Sequence, residues 1–202
     1  MKLKSCAAIL LALALCAGCG RHPTIQKISG SSVVVAFGDS LTFGTGADSD
    51  ESYPSILSGL LACPVINAGV PGELTAAGLA RLPGVLEKER PQLVVLCHGG
   101  NDMLNRLDDP LITDNLNAMI SLVRDTGADV ILLGVPRPGL RLEVASFYKK
   151  TADKHRIPFD PATITRILST PALKSDYVHP NAAGYRKMAE SIAKLIRDCE
   201  RK

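Results

Sequence analysis

A chain of 202 residues, 46% hydrophobic and 21% charged, has the size of one domain with a full core and the composition of a soluble globular protein. Its net charge of +3 falls to +1 once a leader carrying Lys2 and Lys4 is removed. With no Trp and 4% aromatic residues it offers neither a basic stripe nor a base-stacking platform, which argues against a nucleic-acid partner.

The first twenty residues place two lysines before an apolar stretch from Ala7 to Leu15, then small residues. This is the pattern of an export signal, too short for a spanning helix, with charge resuming at Arg21. The sequence Cys16-Ala17-Gly18-Cys19 also spells C-x-x-C, but its place in the leader argues against a redox or zinc role. Three cysteines remain in the body, Cys63, Cys97 and Cys199, so no disulfide framework is implied. Cys97 is expected in the core and Cys199 as an exposed thiol.

From residue 31 onward, short apolar runs alternate with longer amphipathic segments. The runs at 33–37, 64–68, 92–97 and 129–135 are β-branched and nearly continuous in hydrophobicity, as expected of strands buried on both faces of a parallel sheet. Helices are predicted over 53–62 and 73–90, with Pro83 ending one helix or starting another. A further helix is predicted from the Asp109-Pro110 start signal to about Asp125, with Gly127 as its stop. Between 140 and 174 the pattern weakens: a helix over 142–155 and a short strand near 157–160 are expected, the rest being loop. The last helix carries Tyr185, Met188, Ile192, Leu195 and Ile196 on one face and opens after Pro180. The alternation implies a single α/β domain, a doubly wound sheet with helices on both faces.

On this frame the polar islands fall at one edge, because the carboxyl ends of successive parallel strands lie side by side. "GDSLT" follows the first strand, "NAGVPGELT" the second, "HGGND" the third, and "SDYVHP" precedes the last helix. Ser40 offers a hydroxyl that becomes nucleophilic when a base takes its proton. His179 is the natural base, and Asp176 can fix its tautomer and stabilise the imidazolium. The oxyanion formed on an ester needs donors, which the Ser40 N–H, the Gly72 N–H and the Asn101 amide can supply. Gly69 and Gly72 are both also readable as turn glycines. Asp39 and Asp102 read as braces of the site rather than reacting groups. His98 is expected to pack in its loop, Tyr177 and Tyr185 to pack in the interior, and Met103 and Leu104 to contribute to an acyl-side wall. His22 and His155 lack acidic or cysteine partners at metal spacing, so no metal is expected, and the chemistry calls for no cofactor.

These motifs resemble the SGNH hydrolases, also called GDSL esterases and lipases. The ordered blocks are Gly38-Asp39-Ser40-Leu41, Gly72, Gly100-Asn101-Asp102 and Asp176-x-x-His179. "NAGVPGELTAAGLARLP" and "HGGNDML" look most like the small bacterial branch of thioesterase, lysophospholipase and arylesterase enzymes. The resemblance implies a three-layer α/β/α, flavodoxin-like fold with a mostly parallel sheet of about five strands, and it favours Gly72 over Gly69 as the oxyanion donor. It differs from the larger α/β-hydrolase pattern G-x-S-x-G, because Thr42 holds the final position. His98 stands where the small branch often has an apolar or acidic residue, and the segment after "GVPRP" has little likeness to it.

The leader ending likewise resembles a bacterial lipoprotein signal, although Cys16 stands where leucine is usual. The expected plan is a lipoprotein-type signal peptide over 1–18, an N-terminus lipidated at Cys19 with a tether over 19–30, and the hydrolase domain over 31–202. The implied partners are a small acyl substrate and, through the anchor, a membrane. With Gly20 after Cys19, the expected location is the bacterial cell envelope, at the outer membrane. The expected function is serine-dependent hydrolysis of carboxylic esters or thioesters, lysophospholipids included. An O-acetyl esterase acting on cell-envelope glycans is the alternative within that class, and a non-catalytic lipid-anchored binding protein the alternative outside it.

Overall fold

The structure is a computed structural model and describes residues 23–139 and 141–201. The expected export signal and Cys19 lie outside the described residues. Five strands form one parallel sheet: β1 (Val34–Gly38), β2 (Val65–Gly69), β3 (Leu93–Cys97), β4 (Asp129–Leu133) and β5 (Phe159–Asp160), in the order β2-β1-β3-β4-β5. The apolar runs of β1 and β3 are buried throughout, as central strands covered on both faces require. β2 departs from that expectation. It is an edge strand, only partly covered, with Asn67 exposed.

The helices are α1 (Ser40–Phe43), α2 (Tyr53–Leu61), α3 (Thr75–Glu89), α4 (Gly100–Leu104), α5 (Asp109–Asp125), α6 (Ser146–His155), α7 (Thr163–Leu168) and α8 (Ala182–Cys199). Helices α2, α7 and α8 pack together as one outer layer, and α3, α5 and α6 as the other. Helix α8 forms because Tyr185, Met188, Ile192 and Ile196 recur at helical spacing and are all buried, while the Asn181 side chain caps it by accepting the Gly184 N–H at 3.0 Å. Helix α5 buries Ile112, Leu116, Met119, Ile120 and Val123 by the same periodicity; its cap position is Asp108, one residue before the expected start.

Pro83 neither ends nor starts a helix, since α3 runs through it. The stripe of Gly78, Leu82 and Leu86 stays buried on both sides of the proline. Burial of two leucines, about 3–6 kcal/mol together, is enough to offset an interior proline penalty of about 3 kcal/mol. Helix α6 starts four residues later than expected, and the stretch expected as loop after β5 contains α7. That helix is short, and its start is organised by Asp160, which accepts the Ala162 and Thr163 N–H groups at 2.9 Å.

Of the segment expected as a tether, residues 23–30 lie along the body. Ile25 is buried, donates its N–H to the Cys199 carbonyl at 2.9 Å and accepts from Arg201 at 2.9 Å. Cys199 is therefore half-buried rather than exposed, and like Cys63 and Cys97 it is unbridged. Among the described residues no helix is long and apolar enough to cross a membrane.

The strand order matters for function. The chain turns left from β1 to β2 and then right to β3, so the crevice between the carboxyl ends of β1 and β3 is the switch point where such sheets bind ligands. Helices α1 and α4 begin directly at those two ends, at Ser40 and Gly100.

Candidate active site

At the end of β1 the chain passes through Gly38 and Asp39 into the single turn of α1. A Cβ on Gly38 would lie 2.0 Å from the Cys97 carbonyl oxygen and 2.4 Å from Thr42 Oγ1, so only glycine lets β1 and β3 approach here. Asp39 is buried and caps α1, its Oδ1 accepting the Leu41 N–H at 3.1 Å. Burial is the main influence on Asp39 and pushes its carboxyl above the ordinary range, against the pull of nearby His98 and the Leu41 N–H. Ser40, first in the helical turn, has an N–H in a position with no partner inside the helix.

Ser40 Oγ lies 3.0 Å from His179 Nε2, although 139 residues separate them. His179 Nδ1 lies 2.7 Å from Asp176 Oδ2. Asp176 Oδ1 accepts the N–H groups of Val178 and His179, both at 2.8 Å, which folds the loop onto its own carboxylate. Partial burial works against charge on Asp176, but these three hydrogen bonds outweigh it and hold the carboxyl below its ordinary value. With Nδ1–H donated to Asp176, Nε2 is the acceptor for the Ser40 hydroxyl.

The two other residues expected as oxyanion donors sit differently. Asn101, in the first turn of α4, directs its amide N–H groups to the Glu73 carbonyl at 3.1 Å and to Asp39 Oδ2 at 3.3 Å. Gly72 lies in the exposed turn after β2 with φ +76°, and it is not among the residues lining the cavity beside Ser40. Asp102 braces from below: its carboxylate accepts the Thr75 N–H at 3.0 Å and the Thr75 hydroxyl at 2.5 Å, tying α4 to the start of α3. Three buried tyrosines fasten the same loops from the helical layers. The Tyr53 hydroxyl meets Thr42 Oγ1 at 3.0 Å, and Tyr148 and Tyr185 donate to the carbonyls of His98 at 2.7 Å and Thr45 at 2.8 Å.

A cavity of about 350 Å³ opens beside Ser40, His179 and Asn101. Its walls are mainly apolar, with Leu104, Val135, Leu142, Leu168 and Val178 among them. Leu104 thus takes the expected wall position, whereas Met103 is buried in the core. Tyr177, expected in the interior, is 89% exposed and lies on the cavity rim; the tight turn that Asp176 organises points it outward. His98 is fully buried and does not line the cavity. His155 is half-buried, its Nε2 lying 2.8 Å from Asn117 Oδ1. Sequence reasoning missed Glu73 and Arg81, which form an ion pair at 2.6 Å behind the Gly72 turn. Glu73 stands in the loop before α3 and Arg81 within it, so their pairing carries no signal until the β2 turn is folded over α3.

Residues 36–187 match the GDSL-like lipase/acylhydrolase family. The chain is 32% identical to an arylesterase of Vibrio mimicus over 177 residues, 82% of this chain and 88% of the relative. Among solved structures, TesA superposes with a TM-score of 0.74 at 27% identity, covering 83% of this chain and 99% of that one. The SGNH-hydrolase family esterase AlinE4 does so with 0.66 at 30% identity, covering 87% and 100%. With the family's sequence match extending over most of the domain and the three-layer fold shared with solved members, the chain belongs to the GDSL-like lipase/acylhydrolase family and is an ester hydrolase of the SGNH type.

Proposed function

We propose that the protein hydrolyses carboxylic esters with an apolar acyl group through an acyl-Ser40 intermediate. The observation that carries this reading is the linked set Asp176, His179 and Ser40, at 2.7 and 3.0 Å, opening onto an apolar cavity. Ser40 Oγ attacks the ester carbonyl carbon while its proton passes to His179 Nε2. Negative charge gathers on the carbonyl oxygen, where the Ser40 N–H, the Gly72 N–H and the Asn101 amide are assigned as donors. The longer of the two Asn101 bonds, to Asp39 at 3.3 Å, is the one the oxyanion would share. Collapse expels the alcohol, which takes the proton from Nε2. Water then attacks the acyl-serine with His179 again as base, releasing the acid and restoring Ser40. The cavity, near the small end of the range of about 300–1,000 Å³ for ligand pockets, suits a short or medium acyl chain.

A fluorophosphonate probe followed by an ester panel of graded chain length tests the reading. Rapid labelling of the native protein that vanishes in Ser40→Ala, with turnover falling once the acyl chain outgrows the cavity, is the expected result. Equal labelling of both would remove Ser40 as nucleophile. For its setting we propose a cell-envelope lipoprotein acylated at Cys19, whose lipid would hold a body without a spanning helix among its described residues on a membrane. Metabolic labelling with a lipid analogue should be lost in Cys19→Ser, and unchanged labelling would sink the assignment.

A further inference from the structure

The turn that carries Gly72 has little to hold it. β2 is a half-covered edge strand, Gly72 is exposed, and a Cβ placed on it would meet nothing within 4 Å. One residue later the picture reverses, because the Glu73 side chain points inward and is buried.

Glu73 is gripped from two directions. Arg81 donates Nε to Oε1 at 2.6 Å and Nη2 to Oε2 at 2.8 Å, a two-pronged contact. The same Arg81 Nη2 donates to the carbonyls of Gly38 at 3.2 Å and Ala68 at 2.8 Å, and its guanidinium lies 4.0 Å over the Phe37 ring. One arginine therefore links the ends of β1 and β2 to the Glu73 carboxylate. Just past the end of β3, His98 Nε2 meets Glu73 Oε2 at 3.1 Å. His98 Nδ1 accepts the Gly99 N–H at 3.0 Å, so that nitrogen carries no proton and the hydrogen sits on Nε2, donated to Glu73. A neutral, single-tautomer histidine is thereby built into the wall behind the site. Gly78 makes room for it, since a Cβ there would lie 2.4 Å from His98 Nε2. Burial alone would raise the Glu73 carboxyl, but the hydrogen bonds from His98 and Arg81 outweigh it and hold the group at about 2.

The main chain of this clamped residue does something specific. Its carbonyl is the 3.1 Å acceptor of the Asn101 amide. We infer that Glu73, held by Arg81 and neutral His98, is a positioning residue that sets the Asn101 amide, and with it the oxyanion site, for catalysis. Glu73 does not itself line the cavity and acts only through Asn101, which does. This role rests on the oxyanion assignment of Asn101 proposed above.

Glu73→Gln tests it. Whichever way the amide is turned, its NH2 faces an Arg81 N–H, in one orientation with His98 Nε2–H as well, so the turn must shift. A displacement on the order of 1 Å in a catalytic support is worth roughly 10²-fold, so kcat on a small aryl ester should fall about 10- to 100-fold with KM within about threefold, in protein that melts cooperatively well above the assay temperature. His98→Leu should fall in the same direction. His98→Gln, which returns an N–H toward Glu73, should recover most of that loss; recovery no better than leucine would overturn the part given to His98. Asn101→Ala separates the layers. Its own kcat should fall roughly 10²- to 10³-fold, and adding Glu73→Gln to it should cost less than about threefold more, because the group being positioned is gone. Undiminished further loss in that background overturns the inference. A normal kcat in folded Glu73→Gln beside an impaired Asn101→Ala removes the positioning role alone, whereas a normal kcat in Asn101→Ala removes the oxyanion assignment itself.

Discussion

Asp176→Asn changes one atom type and leaves the shape of the loop intact, so it isolates what the carboxylate does for His179. In the native site Oδ1 accepts two backbone N–H groups at 2.8 Å and Oδ2 accepts His179 Nδ1–H at 2.7 Å. An asparagine keeps both backbone bonds only by placing its carbonyl at the Oδ1 position. Its NH2 then faces Nδ1, which must become the acceptor, and the proton moves to Nε2, where it points at Ser40 and cannot receive the hydroxyl proton. Turning the amide over restores the tautomer but sets NH2 against two N–H donors, a penalty of about 1–3 kcal/mol. Loss of the anion also weakens the imidazolium that forms during attack. That effect is about 1 kcal/mol in water and about 4 kcal/mol at a protein surface for charges about 4 Å apart. The Asp176 side chain is 51% exposed, so the smaller end applies. Together the two effects reach about 2–4 kcal/mol, and kcat should fall roughly 30- to 10³-fold. The assay is turnover of a chromogenic aryl ester beside a melting curve, with the melting temperature expected to move by only a few degrees. A well-folded Asp176→Asn enzyme within tenfold of native turnover would refute both the tautomer reasoning and the assignment of His179 as the base.

Gly38→Ala drives a methyl into the Cys97 carbonyl at 2.0 Å, and overpacking of about 1–3 kcal/mol or more should lower the melting temperature by roughly 3–10 °C; an unchanged melting curve would mean that β1 and β3 separate easily. Val135→Trp fills the cavity wall, so kcat/KM for a medium-chain ester should fall at least roughly tenfold while an acetyl ester stays within about threefold; equal losses on both would place the acyl chain elsewhere. Stability should also report the depressed Glu73 carboxyl. Its value drops from 4.5 unfolded to about 2 folded, so the unfolded state binds more protons between those values, and a stabilisation on the order of 3 kcal/mol is complete above about pH 4.5 and lost as pH falls toward 2. The gap in melting temperature between native protein and Glu73→Gln should shrink from pH 6 to pH 3, and a constant gap would sink the charge argument.

The groups at the sheet's carboxyl edge were legible in the sequence because each follows a strongly apolar run or opens a well-marked helix. Ser40, Asn101 and His179 needed only residue type and order to be placed on one rim. The readings that failed share a cause: local pattern was overridden by partners distant in sequence. Pro83 looked like a boundary until Leu82 and Leu86 were seen to bury on a common stripe. The run of β2 looked central, but nothing local says that a strand will stand at an edge. Tyr177 looked like an interior aromatic, yet the hydrogen bonds that fold Asp176 and His179 into their turn rotate it to the surface. Glu73 and Arg81 gave no signal at all, since their meaning lies in three strand ends converging on one ion pair.

That convergence explains how a site assembled from four separate segments keeps its geometry. Ser40 and Asn101 stand just past the ends of β1 and β3, where two wholly buried strands fix the path of the backbone and Asp39 and Asp102 brace the turns that follow. The Gly72 turn and the Asp176 loop have no such support, being exposed segments at either side of the crevice. Each is instead fixed by a single carboxylate that gathers several donors, Glu73 with Arg81 and His98 on one side, Asp176 with His179 and two backbone N–H groups on the other. A buried strand end resists substitution through volume, a carboxylate clamp through charge. The two halves of the site should therefore fail differently: volume changes such as Gly38→Ala act mainly on folding, whereas removing charge acts mainly on turnover at Asp176 and on turnover as well as folding at Glu73. The wall formed by Val135, Leu142 and Leu168 belongs to neither support. It can change size without disturbing either clamp, so on the proposed reading acyl-chain preference should vary here while Ser40, His179 and Asp176 stay in place.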